Sequence, residues 1–370
     1  MKCGVAEYTQ KLAGALSHDP EVKVAILTSR AASTLEPHAD YELLPIVEEW
    51  GWHERGTILS AIRCWSPDVV HIQMPSMGYN NGFLPWALPF LLTRIGVLVV
   101  QTWHIPSNLI LRFILHSPLK FLAAAMVRDS LFLLREDSND TAVAVVRRIL
   151  FHKTTRFIQN ASAIPAVDLG PSERQEIRAR YGRPDARIVA FFGLIYPERG
   201  VDLLFRINDP ADTHLVIIGE CLPLENLTYA PKTQLLVREY HQSLWKLAQS
   251  PEWSGKVTIT GFLPALEAAR IMAAVDAVVL PWVIGGGSWS TSTLAAQAQG
   301  TFVLTTSKVH QGYDPEKNTY STAPNDLNDM RSALSRYAGV RSALHDPARH
   351  WKRLRESHSE LYRTLLMGRS

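Results

Sequence analysis

Residues 277–300 read AVVLPWVIGGGSWSTSTLAAQAQG, an apolar run, three glycines, and a hydroxyl-rich segment that opens an apolar pattern of helical length. This order predicts a buried strand, a turn and a helix. Glycines let the backbone approach a ligand closely, and hydroxyls with free amides at a helix start bind anions. The residues predicted to face such a ligand are Gly286, Gly287, Ser288, Ser290, Thr291 and Ser292. The alternative interpretation is a flexible loop with an ordinary Ser or Thr N-cap.

Short apolar runs alternate with amphipathic segments of helical length on both sides of this stretch. In the first half the runs begin near Val22, Asp68, Val97, Ser130 and Ala142, and the helical segments near Val5, Arg55, Phe83 and Ser107. In the second half the runs are RIVAFFG, THLVIIG, VTITG, AVVLPW and FVLTT. Such alternation is typical of βαβ units around a parallel sheet. The predicted fold class is therefore α/β, with two Rossmann-like doubly wound parallel-sheet domains.

Prolines in a polar stretch mark the predicted boundary between the domains. Pro165, Pro171 and Pro184 interrupt a polar stretch, which is the composition of an interdomain connection. We expect a first domain at 1–160, a linker at 161–187, a second domain at 188–340 and a terminal segment at 341–370. The terminal segment carries apolar residues at spacings of three and four, so it predicts an amphipathic helix.

Composition excludes several classes of protein. The 370 residues are 46% hydrophobic and 20% charged with a net charge of +3, which argues against disorder and gives no bias toward nucleic acid. Cys3, Cys64 and Cys221 form no C-x-x-C pair, so a reducing, cytoplasmic location is expected. The apolar stretch at 105–128 contains basic residues, and it predicts either a core helix or an interfacial helix at a membrane surface.

Familiar nucleotide and hydrolase motifs do not occur. No G-x-G-x-x-G and no G-x-x-x-x-G-K-[ST] follows a strand candidate, and GGSWSTST lacks the closing glycine of a serine hydrolase elbow. Two other turns are compatible with ligands. Gly193 ends a strand shortly before Arg199, whose forked donor suits a phosphate, and His104 follows a strand where an imidazole can contact a ligand. A solvated arginine and a structural histidine are the alternatives.

Several segments together resemble one family in their order and spacing. They are CGVAEYTQKLAGAL, PDVVHIQ, VVQTWH, FFGLIYPERGVDLL, VTITGFLP and AAQAQGTFVLTT, and they resemble the GT-B glycosyltransferases of the GT4 type from about Cys3 to about Thr306. HWKRLRESHSELYRTLL resembles the terminal helix that crosses back to the first domain. The resemblance implies retaining, metal-independent hexosyl transfer from a nucleotide sugar, in a cleft between the domains.

The resemblance also implies roles for particular residues. Gly4 matches the glycine loop near the donor phosphates, and His104 matches the histidine of the catalytic cleft. Gly193 and Arg199 match the glycine and the cation of the diphosphate site, with Arg199 in place of the usual lysine. Gly261 and Phe262 match the turn near the base, and Ser288 to Ser292 match the helix start that faces the phosphates and the sugar.

Three positions depart from the family pattern. The usual E-x7-E glutamates would fall on Gly287 and Ala295, and the arginine that often follows the first glycine of the diphosphate site is Leu194. The strand that precedes the glycine loop has no counterpart here. Either the start is truncated or misassigned, or another segment fills the centre of that sheet.

The expected ligands follow from the same resemblance. They are a UDP- or GDP-linked sugar donor and a glycan or lipid-linked acceptor, with no separate cofactor, no metal and no nucleic acid. Surface polysaccharide biosynthesis, with peripheral contact to the inner face of the membrane, is the implied setting. Two alternatives stay open. One is a catalytically silent GT-B protein that binds a nucleotide or a partner transferase, and the other is a nucleotide-sugar epimerase.

Overall fold

The structure is a computed structural model. It describes residues 4–34, 39–74, 77–79, 82–104, 129–133, 154–182, 185–221, 231–286 and 290–368. The chain divides into two compact units. The first contains Met1–Asn160 and Arg349–Ser370, and the second contains Ala161–Ala348. Residues 161–187, expected as a linker, thus group with the second unit.

The first unit has two parallel sheets. One pairs β1 (Ala25–Ser29) with β2 (Glu42–Val47), and the other runs in the order β3 (Val69–Met74), β4 (Leu98–Trp103), β5 (Asp129–Leu133), β6 (Thr154–Ile158). Its helices are α1 (Gly4–Leu16), α2 (Arg55–Trp65), α3 (Leu84–Arg94) and the terminal helix described below. The strands predicted near Val22, Asp68, Val97 and Ser130 are confirmed. The run at Ala142 and the stretch at 105–128 lie outside the described residues.

The core of the first unit lies between the second sheet and its helices. Its largest fully buried side chains are Ile58, Met74, Leu84, Leu92 and Trp103. α3 is apolar on nearly every side because the sequence LPWALPFLLTR supplies few polar residues, and most of its side chains are buried. Met74 and Trp103 end β3 and β4, so the core reaches the carboxyl edge of this sheet.

The terminal helix, named α10 below, spans Pro347–Met367. Its apolar face is buried at Leu354 and Leu361. At its far end, Arg363 pairs with Asp19 and Glu21 just after α1, at 2.8 Å in both cases. The periodicity at 341–370 therefore predicted both the helix and its buried face.

The second unit is built on one seven-stranded sheet. Its strands are β7 (Arg187–Phe192), β8 (Thr213–Ile218), β9 (Val257–Gly261), β10 (Ala277–Leu280), β11 (Phe302–Thr306), β12 (Gly312–Asp314) and β13 (Thr319–Thr322). Their order is β12-β13-β11-β10-β7-β8-β9, and only the β12–β13 pairing is antiparallel. The five predicted apolar runs are confirmed as strands. The short strands β12 and β13 were not predicted, because residues 312–322 carry no continuous apolar run.

The helices of this unit are α4 (Pro171–Arg178), α5 (Leu203–Ile207), α6 (Pro231–Ala248), α7 (Ala265–Ala274), α8 (Thr291–Ala298) and α9 (Leu327–Tyr337). The sheet is buried on both faces, as the continuous apolar runs require. The expected α/β class with a doubly wound parallel sheet is confirmed. No helix in the described part of the chain is long and apolar enough to span a bilayer.

Candidate functional site

The candidate site of the second unit lies where the strand order of its sheet reverses. β8 and β9 follow β7 on one side, and the chain then returns to place β10 on the other side of β7. Gly193 comes directly after β7, and Pro281 comes directly after β10. Doubly wound sheets bind ligands at the carboxyl ends of their strands at such a reversal. The residues that follow β7 and β10 are therefore the ones that can contact a ligand.

Gly193 brings three of the predicted residues together. Its φ is +136°, and a Cβ at this position would lie 3.0 Å from Ser292 Oγ and 3.9 Å from Arg199 Nη1. The Gly193 amide donates to the carbonyl of Ile218 in the neighbouring strand at 3.0 Å. A side chain here would fill the space between the serine hydroxyl and the guanidinium. The glycine keeps that space open.

A second glycine, Gly219, packs against the first. Its φ is +148°, and a Cβ would overlap the carbonyl oxygen of Gly193. Gly219 also bridges to Gly261, which ends β9 with a φ of +69°. The carboxyl ends of β7, β8 and β9 thus form a continuous glycine edge. Phe262 follows this edge and is 57% exposed, so its ring is accessible to a ligand.

Arg199 provides the positive charge at this edge. Its guanidinium carbon lies 3.6 Å from the centroid of the Trp282 ring and 5.0 Å from that of Tyr196. Among the described residues, no hydrogen-bond partner is found for its buried Nε and Nη1 atoms. Burial lowers the pKa of Arg199, and Tyr196 and Glu198 oppose that effect. The side chain therefore presents N–H donors that an anion could satisfy.

The start of α8 supplies further donors. Ser290 is the N-cap, and its hydroxyl accepts from the amide of Thr293 at 3.4 Å. The amides of Thr291 and Ser292 belong to the first helical turn, which has no acceptors within the helix. Ser292 is buried and Thr291 is exposed. The helix dipole adds a partial positive charge at the same end.

Residues 281–286, which follow β10, are held by backbone hydrogen bonds. The Val283 amide donates to the carbonyl of Glu198 at 3.1 Å, and the Gly286 amide donates to that of Thr306 at 2.8 Å. A Cβ on Gly286 would overlap the Trp282 indole. Gly286 therefore allows the ring to lie beneath Arg199. Gly287 and Ser288 lie outside the described residues.

In the first unit, His104 stands at the end of β4. Its amide donates to the carbonyl of Met74 at 2.8 Å, and its Nε2 donates to Gln73 Oε1 at 2.9 Å. The Tyr8 ring packs edge-on against it with centroids 4.9 Å apart. Burial lowers the pKa of His104 to about 3. The imidazole is therefore neutral at physiological pH, and its Nδ1 can accept a hydrogen bond.

A buried polar network lies beside His104. His71 Nδ1 contacts the Tyr362 hydroxyl at 2.6 Å, and its Nε2 contacts Thr102 Oγ1 at 2.7 Å. His358 donates from Nδ1 to the carbonyl of Leu354 at 2.7 Å. This network joins β3 and β4 to α10 and explains why polar side chains occupy the buried face of that helix.

Gly4 is the first residue of α1, is exposed, and has no atoms within 4 Å of a Cβ position. This open space is compatible with a glycine that approaches a ligand. No group of three or more His, Cys, Asp or Glu residues within the described ranges is placed to hold a metal ion.

No family model matches the chain, and no curated protein does. Solved structures match it over nearly its whole length. Sucrose-phosphate synthase from Thermosynechococcus elongatus aligns over 98% of this chain and 93% of its own, with 15% identity and a TM-score of 0.66. HepE from Anabaena, in complex with UDP-glucose, aligns over 97% of both chains, with 13% identity and a TM-score of 0.65.

A third match is WaaG, a glycosyltransferase involved in lipopolysaccharide biosynthesis, which aligns over 98% of this chain and 92% of its own. Its identity is 14% and its TM-score is 0.57. The fold is GT-B. The recognition made from the sequence segments is thereby confirmed at the level of fold, which is what identities this low show.

Within the GT-B fold, the structure places the predicted site residues in two groups. Gly193, Arg199 and Ser292 converge in the second unit, where Gly261, Phe262, Gly286, Ser290 and Thr291 lie at the same edge of the sheet. Gly4 and His104 lie in the first unit. Sequence reasoning missed Gly219, although the run THLVIIG ends on it. It also missed Tyr8 and Gln73, because nothing in the sequence links them to His104.

Proposed function

We propose that this chain is a retaining, metal-independent glycosyltransferase of the GT4 type, which transfers a hexose from a UDP- or GDP-linked donor. The observation that carries the proposal is the convergence of Gly193, Arg199 and Ser292 at the switch point of the second sheet. A nucleoside diphosphate has the charge that the buried N–H groups of Arg199 require. It also matches the free amides at the start of α8.

The chemistry follows from the charge that the reaction produces. Transfer forms a bond between an acceptor oxygen and the anomeric carbon and breaks the bond between that carbon and a diphosphate oxygen, and the acceptor hydroxyl gives up its proton to the departing diphosphate. Negative charge then accumulates on the departing diphosphate. Arg199 and the dipole of α8 stabilise that charge, and preorganised donors of this kind supply a large part of catalysis. The proposed reaction uses no cofactor besides the nucleotide-sugar donor itself.

The nucleoside is assigned to the glycine edge of β8 and β9. Gly219 and Gly261 leave the backbone uncovered there, and the exposed ring of Phe262 offers a surface for a base. HepE in complex with UDP-glucose, on the same fold, supports a nucleotide sugar as the ligand class. Gly287 and Ser288 are assigned to the donor phosphates and sugar from the family resemblance.

His104 is assigned a hydrogen-bonding role toward the transferred sugar or the acceptor. Its pKa of about 3 leaves it uncharged at neutral pH. A neutral imidazole held by Gln73 orients a hydroxyl through Nδ1. Gly4 is assigned to the donor phosphates, as the resemblance implies. The acceptor is a glycan or a lipid-linked glycan in cytoplasmic surface-polysaccharide assembly, reached by peripheral contact with the membrane.

A donor screen tests this function. Purified protein is incubated with UDP-, GDP- and ADP-sugars, with and without candidate acceptors, and the products are separated by chromatography and identified by mass spectrometry and NMR. The proposal expects release of one nucleoside diphosphate, with the anomeric configuration retained in the transferred sugar. Nucleotide binding without turnover for any donor would favour the silent GT-B alternative. Interconversion of the sugar on its nucleotide would favour the epimerase.

A further inference from the structure

A cavity of about 300 Å³ lies at the opposite edge of the second sheet. Arg174, Arg178, Arg341, Gln175 and Asp276 are among the residues that line it. It lies at the amino ends of the strands, because Asp276 directly precedes β10 and accepts from the amide of Ile188 in β7 at 2.7 Å.

This cavity is separate from the nucleotide site. Arg178 donates to the carbonyl of Ala186, which directly precedes β7, whereas Gly193 directly follows that strand. The six residues of β7 span roughly 20 Å at about 3.3 Å each. A ligand bound in the cavity would therefore lie a full strand length away from one held by Gly193 and Arg199.

The cavity carries more positive charge than its acidic residue can balance. Three arginines face one aspartate, and within the described ranges only Arg178 pairs with it, at 2.8 Å between Nη1 and Oδ1. The pKa of Arg341 is lowered to about 10, chiefly by burial; the positive charges of Arg174 and Arg178 contribute to this lowering, and Asp276 opposes it. The cationic groups thus repel one another, and an anion between them would relieve that repulsion.

Two of the arginines have structural partners that account for their presence. Arg178 donates to the carbonyl of Ala274, and Arg341 donates to those of Ala273 and Val275, all at the carboxyl end of α7. Cations at that position offset the helix dipole.

Arg174 differs from Arg178 and Arg341 in its hydrogen bonding. Its buried Nε has no hydrogen-bond partner among the described residues. A buried guanidinium N–H without an acceptor is costly, so the fold itself does not explain this side chain.

We propose that this cavity binds a small phosphate-bearing anion, with Arg174 as the residue that recognises it. Phosphate oxygens match the planar fork of a guanidinium, and the Gln175 amide lines the same cavity as an additional donor. The same chemistry is offered by a free phosphate ester and by the phosphate of a lipid headgroup. The experiment separates these two sources.

The test measures thermal unfolding of the full chain against inorganic phosphate and pyrophosphate, with sodium chloride at matched ionic strength. The wild type is compared with Arg174→Gln and with Arg180→Gln. Arg180 lies beyond the end of the same helix and pairs with Glu176 in solvent, so it is a matched control. We expect saturable stabilisation in the wild type and in Arg180→Gln, and an apparent Kd at least tenfold weaker in Arg174→Gln.

Arg199→Ala distinguishes this site from the nucleotide site. Stabilisation by phosphate that persists in Arg199→Ala and weakens in Arg174→Gln supports the cavity as the site. The reverse pattern overturns the proposal, because it assigns phosphate to the nucleotide site. Equal stabilisation in Arg174→Gln and Arg180→Gln overturns it as well.

Flotation identifies the source of the phosphate. Phosphatidylcholine vesicles are compared with the same vesicles containing phosphatidic acid. Flotation that needs phosphatidic acid and is lost in Arg174→Gln identifies a headgroup, whereas binding of soluble phosphate without flotation identifies a free ester. Absence of both kinds of binding in the wild type overturns the proposal.

Discussion

The guanidinium carbon of Arg199 lies 3.6 Å from the centroid of the Trp282 ring. The ring fixes the plane of the guanidinium, so its N–H groups are oriented before a ligand arrives. Gly286 and Gly200 make this stacking feasible, because a Cβ on the first would overlap the indole and a Cβ on the second would overlap the carbonyl of Pro281. Two turns, one at 197–200 and one at 281–286, thus position a single cation.

Gly286→Ala tests the dependence of the site on this stacking. The added Cβ displaces the Trp282 ring from beneath Arg199, so we expect UDP affinity to fall about fivefold, or roughly 1 kcal/mol for a lost cation–π contact. Affinity is measured by isothermal titration calorimetry. Gly170→Ala is the control, because Gly170 lies in the same unit, has a φ of −61° and has open space around its Cβ position. Equal effects of the two substitutions would argue against a role for the ring.

Gly219→Ala tests the glycine edge. A Cβ there overlaps the carbonyl oxygen of Gly193, so we expect a loss in the free energy of unfolding that exceeds the ~1–2 kcal/mol of left-handed backbone strain alone. Gly255→Ala carries a positive φ of +75° in open space and isolates the strain component. Urea denaturation compares the two variants. A loss in Gly219→Ala no larger than that in Gly255→Ala would contradict the close packing of the two strand ends.

The sequence predicted those parts of the site whose residues lie close together within a single turn. Gly193 and Arg199 stand six residues apart in one turn, and the glycine triplet stands between a strand and a helix, so both turns were recognisable. The contact between Gly193 and Ser292 joins residues that are distant in sequence, and only the sheet order brings them together. Gly219 could be found only by treating the residue after every predicted strand as a candidate ligand contact. The pairing of His104 with Gln73 depends on strand register, which periodicity does not reveal.

The buried histidines predict a specific pH dependence of stability. Burial lowers the pKa of His104 to about 3 and that of His358 to about 4, and it places the pKa of His71 well below its ordinary value. The unfolded chain therefore binds more protons than the folded chain below about pH 6.5. Stability should be constant above that pH and fall as the pH decreases toward 4, by up to about 1.4 kcal/mol per pH unit for each histidine.

Chemical denaturation between pH 8 and pH 4.5 measures this slope. His358→Gln should flatten it by the contribution of one proton. His18→Gln should leave the slope as it is, because His18 is exposed and lies outside the buried network. A slope that is identical in the wild type and in His358→Gln would show that this histidine is not held neutral by burial.

His104→Ala separates nucleotide binding from transfer. Because the neutral imidazole is assigned to the sugar or the acceptor, we expect kcat to fall by about tenfold to a hundredfold, with UDP affinity unchanged. Steady-state kinetics with the donor found by the screen, together with calorimetry, give the two quantities. His53→Ala serves as the control, since His53 is an exposed histidine of the same unit. A loss of UDP affinity without a change in kcat would place His104 at the nucleotide instead.

The most direct test of the account is calorimetric titration of UDP and GDP into the wild type and Arg199→Ala, with Arg206→Ala as a control that removes an exposed arginine nearby. We expect one of the two nucleotides to bind the wild type and Arg206→Ala with equal affinity. We expect the affinity for that nucleotide to be at least tenfold weaker in Arg199→Ala, since a desolvated, charge-assisted contact is lost. Unchanged affinity in Arg199→Ala would contradict the assignment of the diphosphate to this edge of the sheet.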